Sequence, residues 1–430
     1  MTTIHQDNLV QLLKKKGIGK TMSKSLNDSD CTQAIALLSN DDCSLTTKAT
    51  LITALLCLDN NDDEQKLLSD LKSLNTLDKQ LSPLLNLQTT SSTLFNCALQ
   101  VISNSPLSYD DAKKAFLLIL DPSEKELEKA ILLEALRLKE ESFDENTACL
   151  DLFFERANHH PVDAPLLIDI ATPYDGFNRH LLLLPFVAAL LGSLGFSTIL
   201  HGLDQVSPKF GQTIHQLLKA AGKNPLKSTI EVANDLMNTD ISWGYLDQSI
   251  SFSELYDLNS LRKNMVKRPL LATMEKILQP LYSPHKNLIV TGYTHPAYKE
   301  KTVQLLQHLN KWDGALIVRG TEGSPQLGLD RRAPSVNIKN NDVLEAYLAP
   351  EQFNLERSEK IEANKDLTIE NSLEQGVAAL NGKKGFVLDS IKYQVFTILS
   401  QFNLLQNDDL ISRVNESIQT KKALSHWSNF

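Results

Sequence analysis

Cysteine is scarce and confined. The 430 residues hold five, at positions 31, 43, 57, 97 and 149, and none beyond. No two form a C-x-x-C pair and the count is odd, which argues against a disulfide framework and a cysteine zinc site. Reduced thiols in a cytoplasmic protein are the expectation. The opening MTTIHQDNLV lacks a basic region and an apolar core, so no signal peptide is read. The most apolar stretch, Leu181 to Leu191, is too short to span a bilayer, which takes about 20 residues. There is no dense Lys/Arg run, and a formal net charge of −9 argues against a wholesale nucleic-acid coat or an anionic-membrane protein. Glycine is missing where it would be most telling. In IDIATPYDGFNRHLLLLPFVAALLGSLGFSTILHG, Ile168 to Gly202, a strand runs into a turn, an apolar helix and a second strand. A phosphate cradle in such a turn wants several glycines, so that backbone N–H groups can approach the anion. This turn has one, Gly176.

What is present is ordinary in bulk. Hydrophobic content of 42% and charged content of 22% fit a globular chain, and the length suits two or three domains. The first 160 residues read as all-helical, with apolar residues spaced three and four apart, as in Leu51, Ala54, Leu55 and Leu58. They also repeat. Leu26, Asp30, Ala34, Leu37, Ala49, Leu51, Ala54, Leu55, Asp63 and Glu64 recur as Leu107, Asp111, Ala115, Leu118, Ala130, Leu132, Ala135, Leu136, Asp144 and Glu145. The offset is constant and gapless, which marks a duplicated helical unit joined by Leu81 to Thr93.

From Leu166 strands alternate with helices. The strand-like runs are LLIDIA, STILHG, Asn287 to Tyr293, Gly314 to Gly320 and Pro334 to Lys339. Helical stretches lie between them, including Gly211 to Ala221, Pro296 to Leu309 and Leu373 to Leu380. This alternation predicts an α/β fold: a mostly parallel sheet with flanking helices, plus the N-terminal all-helical domain. The expected boundaries are an extra repeat unit at 1–80, a helical domain at 81–165 and an α/β domain at 166–430. A helical insertion around 225–281, with one short strand at Ile241 to Leu246, is expected to pack back on the helical domain.

Four clusters sit at element ends, where sites usually lie. They are Pro173, Tyr174, Asp175 and Gly176 with Arg179; His201 and Gly202, followed by Lys209; Lys267 and Arg268; and Arg319, Gly320, Glu322, Gly323 and Ser324. Three follow predicted strands and would open on one crevice, with His295 in the turn GYTHP beside them. Each cluster alone also reads as plain turn chemistry, and the basic residues from Arg262 to Arg332 also read as a solvated face.

The chain from about residue 95 onward resembles the anthranilate phosphoribosyltransferase family, which shares its fold with pyrimidine nucleoside phosphorylases. The likeness rests on PLSYDDAKKAFLLIL, LLLLPFVAALLGSLGFSTILHG, KFGQTIHQLLKAAG, the GYTHP and RGTEGS turns, and the tail ENSLEQGVAAL. It implies a helical domain hinged to an α/β domain, a ligand between the two, and a homodimer through the helical part. The departures are specific. The family's Gly-Thr-Gly-Gly-Asp loop is Ala171-Thr172-Pro173-Tyr174-Asp175 here. Its Asn-x-Ser-Thr run is Leu182-Leu183-Leu184-Pro185. Its magnesium-binding Asp-Glu pair falls at Pro325-Gln326, with Glu322 nearby. Its Lys-His-Gly-Asn turn is Leu200-His201-Gly202-Leu203. A leucine cannot replace a hydroxyl that hydrogen-bonds an anion. The chain therefore looks like the non-tryptophan branch of this superfamily.

Two functional readings follow. In the first, the protein is phosphoribosyltransferase-like and binds a phosphorylated ligand in an interdomain cleft, with Arg268, Arg319 and Lys209 on the anion. Asp175 or Glu322 would then hold a metal or act as base, with His201 assisting. The cofactor is left open, because the acidic pair for magnesium is absent. In the second, the protein is a catalytically silent nucleic-acid-binding homodimer of the same fold. Neither reading involves a membrane.

Overall fold

The computed structural model describes residues 4–358 and 367–430. It divides into two compact units. One contains the residues up to Glu155 together with Glu254–Met274, and the other contains Arg156–Ser253 with Glu275–Phe430.

The helical unit is built twice. Helices α1 (Ile4–Lys16), α2 (Asp28–Leu38), α3 (Leu45–Cys57) and α4 (Asp62–Ser73) are followed by α5 (Thr93–Ile102), α6 (Tyr109–Leu120), α7 (Glu126–Lys139) and α8 (Phe143–Arg156). The starts of α2, α3 and α4 recur at α6, α7 and α8 in the register of the sequence repeat. Asn27, Ser44 and Asn61 cap the first set by accepting N–H bonds in the first turn, and Ser108 caps α6 in the same way. The two copies meet through α3 and α7. Both helices are consequently buried nearly all round, rather than on one stripe. The threonines this leaves inside α3 satisfy themselves. Thr50 Oγ1 donates to Thr46 O (2.7 Å) and Thr53 Oγ1 to Ala49 O (2.8 Å).

One glutamate organises each copy. Glu64 and Glu145 are both fully buried. Glu64 accepts from Leu26 N (2.8 Å), Asn61 N (3.0 Å) and Lys16 Nζ (2.9 Å). Glu145 accepts from Leu107 N (2.9 Å), Ser142 N (2.7 Å) and Lys139 Nζ (2.8 Å). The backbone donors are equivalent, but the lysines come from different helices. The segment Asn259–Met265 packs on α3 and α7, with Thr47 Oγ1 donating to Asn264 O (2.7 Å) and Asn264 Nδ2 to Glu126 Oε1 (2.7 Å).

The α/β unit holds a seven-stranded sheet: β1 (Leu167–Ala171), β2 (Ser197–Gly202), β3 (Trp243–Asp247), β4 (Asn287–Gly292), β5 (Gly314–Val318), β6 (Ala333–Lys339) and β7 (Asp342–Leu348). The order is β3-β2-β1-β4-β5-β6-β7. The first five pair in parallel, and β6 and β7 add antiparallel at one side. The sheet is mostly parallel, as the alternation predicts. The chain builds outward from β1 to β3, then returns to start β4 beside β1, so the direction of winding switches between β1 and β4. Helix Leu184–Ser193 is buried on every face, with Phe186 and the tail Trp427 tilted against each other 4.6 Å apart and Trp427 stacked on Trp243 at 5.5 Å. Of the segment around 225–281, helix Thr229–Met237 packs on β3 within this unit, and Glu254–Met274 belongs to the helical unit. No helix among the described residues is long and apolar enough to cross a membrane.

Candidate functional site

The carboxyl ends of β1 and β2 and the loop after β5 meet beside the switch in winding, the place where open α/β sheets bind ligands. The loops after β1 and β2 are pinned to each other through their backbones. Gly211 N donates to Asp175 O (2.8 Å), and Phe177 and Gln212 exchange N–H bonds in both directions (2.9 and 2.8 Å). Such an approach leaves no room for side chains. A Cβ on Gly211 would lie 2.6 Å from Phe177 N, and Gly176 adopts φ +78° with Gln212 O 2.4 Å from any Cβ. The turn's single glycine serves loop closure. A cavity of about 10 Å³ remains, lined by Pro173, Tyr174, His201, Gly202 and neighbours, and it holds about one water.

Two polar clusters occupy this edge. In the first, Glu322 gathers donors from the other two loops. Its Oε1 accepts from Arg179 N (2.7 Å) and Asn178 N (3.2 Å) and lies 3.0 Å from His180 Nδ1. Its Oε2 accepts from Asn178 N (3.1 Å), pairs with Lys209 Nζ and lies 4.0 Å from Arg179 Nε. The carboxylate is 1% exposed. Burial alone would push its pKa up. The His180 and Lys209 hydrogen bonds, the Lys209 charge and the Arg179 N–H outweigh that and hold it at about 2. Burial pushes the Lys209 ammonium down, and Glu322 restores part of the loss. Lys209 Nζ also donates to Gly176 O.

The second cluster is Asp169, His201 and Tyr174, all buried. His201 Nε2 lies 2.9 Å from Asp169 Oδ1, its Nδ1 lies 2.6 Å from Tyr174 OH, and Tyr174 OH lies 3.1 Å from Glu275 O. A carboxylate only accepts, so Nε2 carries a proton. With a neutral ring, Nδ1 accepts from the tyrosine. With a charged ring, Nδ1 donates and the hydroxyl proton goes to Glu275 O. Oδ2 of Asp169 is buried without a hydrogen-bond partner. His201 is wholly buried and both its nitrogens are engaged, so it acts here by holding Tyr174.

The remaining predicted residues are spread out. Arg319 is exposed, and its N–H donates to Pro334 O (2.9 Å). His295 is exposed and stands before helix Pro296–Leu309 without capping it through its side chain. Gly320, Gly323 and Ser324 form a tight turn in which Ser324 Oγ donates to Thr321 O (2.7 Å). Asp175 is buried in the pinned loop. Lys267 and Arg268 belong to the helical unit. Lys267 is buried, donates to Leu13 O (2.8 Å) and is pushed down to about 8 by burial, while Arg268 is exposed. The structure brings Arg179, Lys209 and Glu322 together, and separately Tyr174 with His201.

Residues missed in the sequence complete both clusters: Asn178 and His180 in the first, Asp169 in the second. Asp169 left a signal, as the one acid in a strand otherwise fit for burial on both faces. Gln326 has a structural part that the sequence did not show. It sits at the family's metal pair, where its Oε1 accepts from Leu183 N (2.9 Å) and its Nε2 donates to Leu181 O (2.9 Å). Leu182, Leu183 and Leu184, at the family's Asn-x-Ser-Thr run, lie in the hydrophobic core. Among the described residues no group of three or more His, Cys, Asp or Glu could hold a metal ion.

Comparison with known proteins matches the fold. An anthranilate phosphoribosyltransferase of Neisseria gonorrhoeae is 25% identical over 337 residues, 77% of this chain and 95% of that protein. The Saccharomyces cerevisiae enzyme, solved with PRPP and Mg, superposes with a TM-score of 0.66 at 16% identity, over 79% of this chain and 97% of that one. The chain is similar in sequence and fold to the anthranilate phosphoribosyltransferases. The Thermus thermophilus member gives a TM-score of 0.63 at 19% identity, over 77% of this chain and 97% of that one. An uncharacterized protein of Aquifex aeolicus is 27% identical over 278 residues, 65% of this chain and 82% of that protein. No family model matches the chain. The family members named here are matched over most of their own length, yet about a fifth or more of this chain falls outside each match.

Proposed function

We propose that this chain binds an anionic, phosphorylated ligand at the carboxyl edge of its α/β sheet and does not transfer phosphoribose to anthranilate. One observation carries the binding: two consecutive backbone N–H groups, the Lys209 ammonium and the His180 ring converge on one point beside the switch in winding. Arg179 and Arg319 stand exposed at the same edge and add positive charge for an approaching anion. Lys267 and Arg268 carry no part of this reading.

The loss of the anthranilate reaction is supported by what replaced its groups. Leu182 and Leu184 fill core volume, and both ends of the Gln326 amide are committed to backbone. These residues do not fit a magnesium site, which needs carboxylate oxygens. Thermal shift with inorganic phosphate, ribose 5-phosphate and phosphoribosyl pyrophosphate tests the binding. Lys209→Ala should weaken it by about 1.5–3 kcal/mol for a lost charged hydrogen bond. Equal midpoint shifts in wild type and variant would refute it. Rescue of a tryptophan auxotroph by this chain alone would refute the inactivity. The family resemblance further supports a homodimer through the helical unit, which light scattering at micromolar concentration decides.

A second reading, binding of single-stranded nucleic acid, draws on exposed tyrosines with cations over their rings. Arg332 lies 4.9 Å from the Tyr347 ring and Lys301 Nζ 5.6 Å from the Tyr298 ring. Such pairs offer bases a stacking surface beside phosphate-binding charge. A salt-dependent mobility shift with a short oligonucleotide, lost in Tyr347→Ala, would favour it.

A further inference from the structure

The donors around Glu322 are more than one carboxylate side chain needs for anchorage. Consecutive N–H groups at 178 and 179 point at one place, and Lys209 and His180 close on it from the side. Two successive amides with an ammonium and an imidazole are a donor set suited to a tetrahedral oxyanion. The carboxylate filling the set comes from a different loop, 143 residues along the chain from the nearest amide it binds. It is held there against local preference, because Glu322 sits at φ +54°, a left-handed conformation that costs a non-glycine residue free energy.

We infer that Glu322 is a built-in stand-in for a phosphate group: the cradle takes a small dianionic phosphate, and the Glu322 carboxylate must swing out to admit it. This rests on the anion-binding reading above and adds how the site's occupancy is controlled. A phosphate brings up to two charges and more acceptor oxygens than a carboxylate. The carboxylate is favoured by its tether. The ligand therefore meets a site that is open only part of the time, and its apparent Kd is the intrinsic one divided by the open fraction. The swing needs only the glutamate's own side-chain torsions. The turn that carries it is closely packed: a Cβ at Gly320 would lie 2.1 Å from Ser324 O and one at Gly323 would lie 2.5 Å from Thr294 Oγ1. On the solvent side the Arg179 side chain, 73% exposed with Nε 4.0 Å from the carboxylate, lies where an incoming anion would first meet charge.

Calorimetric titration with inorganic phosphate tests this on wild type, Glu322→Ala, Glu322→Gln and the Glu322→Ala/Lys209→Ala pair, each checked for fold by circular dichroism. Removing the carboxylate is expected to tighten phosphate binding at least tenfold, and removing Lys209 as well to abolish the gain. Glu322→Gln keeps the volume and an acceptor for one amide but loses the attraction to Lys209, so it should tighten binding several-fold. It serves as the test if the alanine variant does not fold. Equal Kd values in wild type and a folded Glu322 variant would overturn the stand-in role and leave the anion-binding reading intact. No phosphate binding in any variant would overturn both. Ribose 5-phosphate run in parallel separates an ester from the free ion, and the gain on removing Glu322 is expected for whichever binds.

Discussion

Truncating Glu64 and Glu145 to alanine tests the duplicated architecture one copy at a time. Each carboxylate is fully buried and receives two backbone N–H bonds and a lysine. Glu64→Ala would strand the Lys16 ammonium, which is 2% exposed and keeps only Asp59 O at 2.8 Å. Breaking a buried pair by removing one partner costs about 3–5 kcal/mol, because the surviving charge stays desolvated. Glu145→Ala strands Lys139, 7% exposed, whose remaining contact is Glu140 O at 3.1 Å. Its cost should fall in the same range and slightly lower, since that lysine can reach water more easily. Urea unfolding followed by far-UV circular dichroism measures both, with the slope checked for unchanged cooperativity. A double change, Lys16→Met with Glu64→Gln, removes both charges and should recover much of the loss. A cost under about 1 kcal/mol for either alanine variant, or costs that differ by several kcal/mol, would refute the claim that one glutamate does the same work in each copy.

The Glu322 carboxyl is held at about 2 against an ordinary 4.5, so its stabilising contribution is complete above about pH 4.5 and lost as pH falls toward 2. The stability gap between wild type and Glu322→Gln should narrow by about 1 kcal/mol between about pH 6 and 3.5, and a pH-independent gap would show the carboxylate is not held ionised. Gln326→Leu should cost about 2–3 kcal/mol by leaving Leu183 N and Leu181 O unpaired in a buried site, read as a lower urea midpoint. Gly211→Ala should cost about 1–3 kcal/mol, because its Cβ would meet the Phe177 backbone at 2.6 Å. An alanine variant as stable as wild type would mean that the two loops are not pinned.

The sequence by itself determined the helical repeat and the mostly parallel sheet. The repeat is visible because helix starts and core positions in two copies obey the same packing, and the fold keeps that register through α2–α4 and α6–α8. The five parallel strands are visible because burial on both faces demands short apolar runs between turns. Strand β7 left no such mark. Six of its seven residues are exposed, so neither alternation nor an apolar run distinguishes DVLEAYL from a loop, and only its pairing with β6 makes it a strand. Sequence spacing likewise treats α3 as amphipathic, whereas packing on α7 and on Asn259–Met265 buries it all round. At the candidate site the sequence marked Arg179, Lys209 and Glu322 as polar residues near strand ends, each compatible with a ligand, a metal or solvent. Only the tertiary structure decided among these, because a carboxylate's role depends on which donors surround it. Two loops far from it in the chain bring two amides, an imidazole and an ammonium to Glu322, and no local pattern in either of them encodes that meeting.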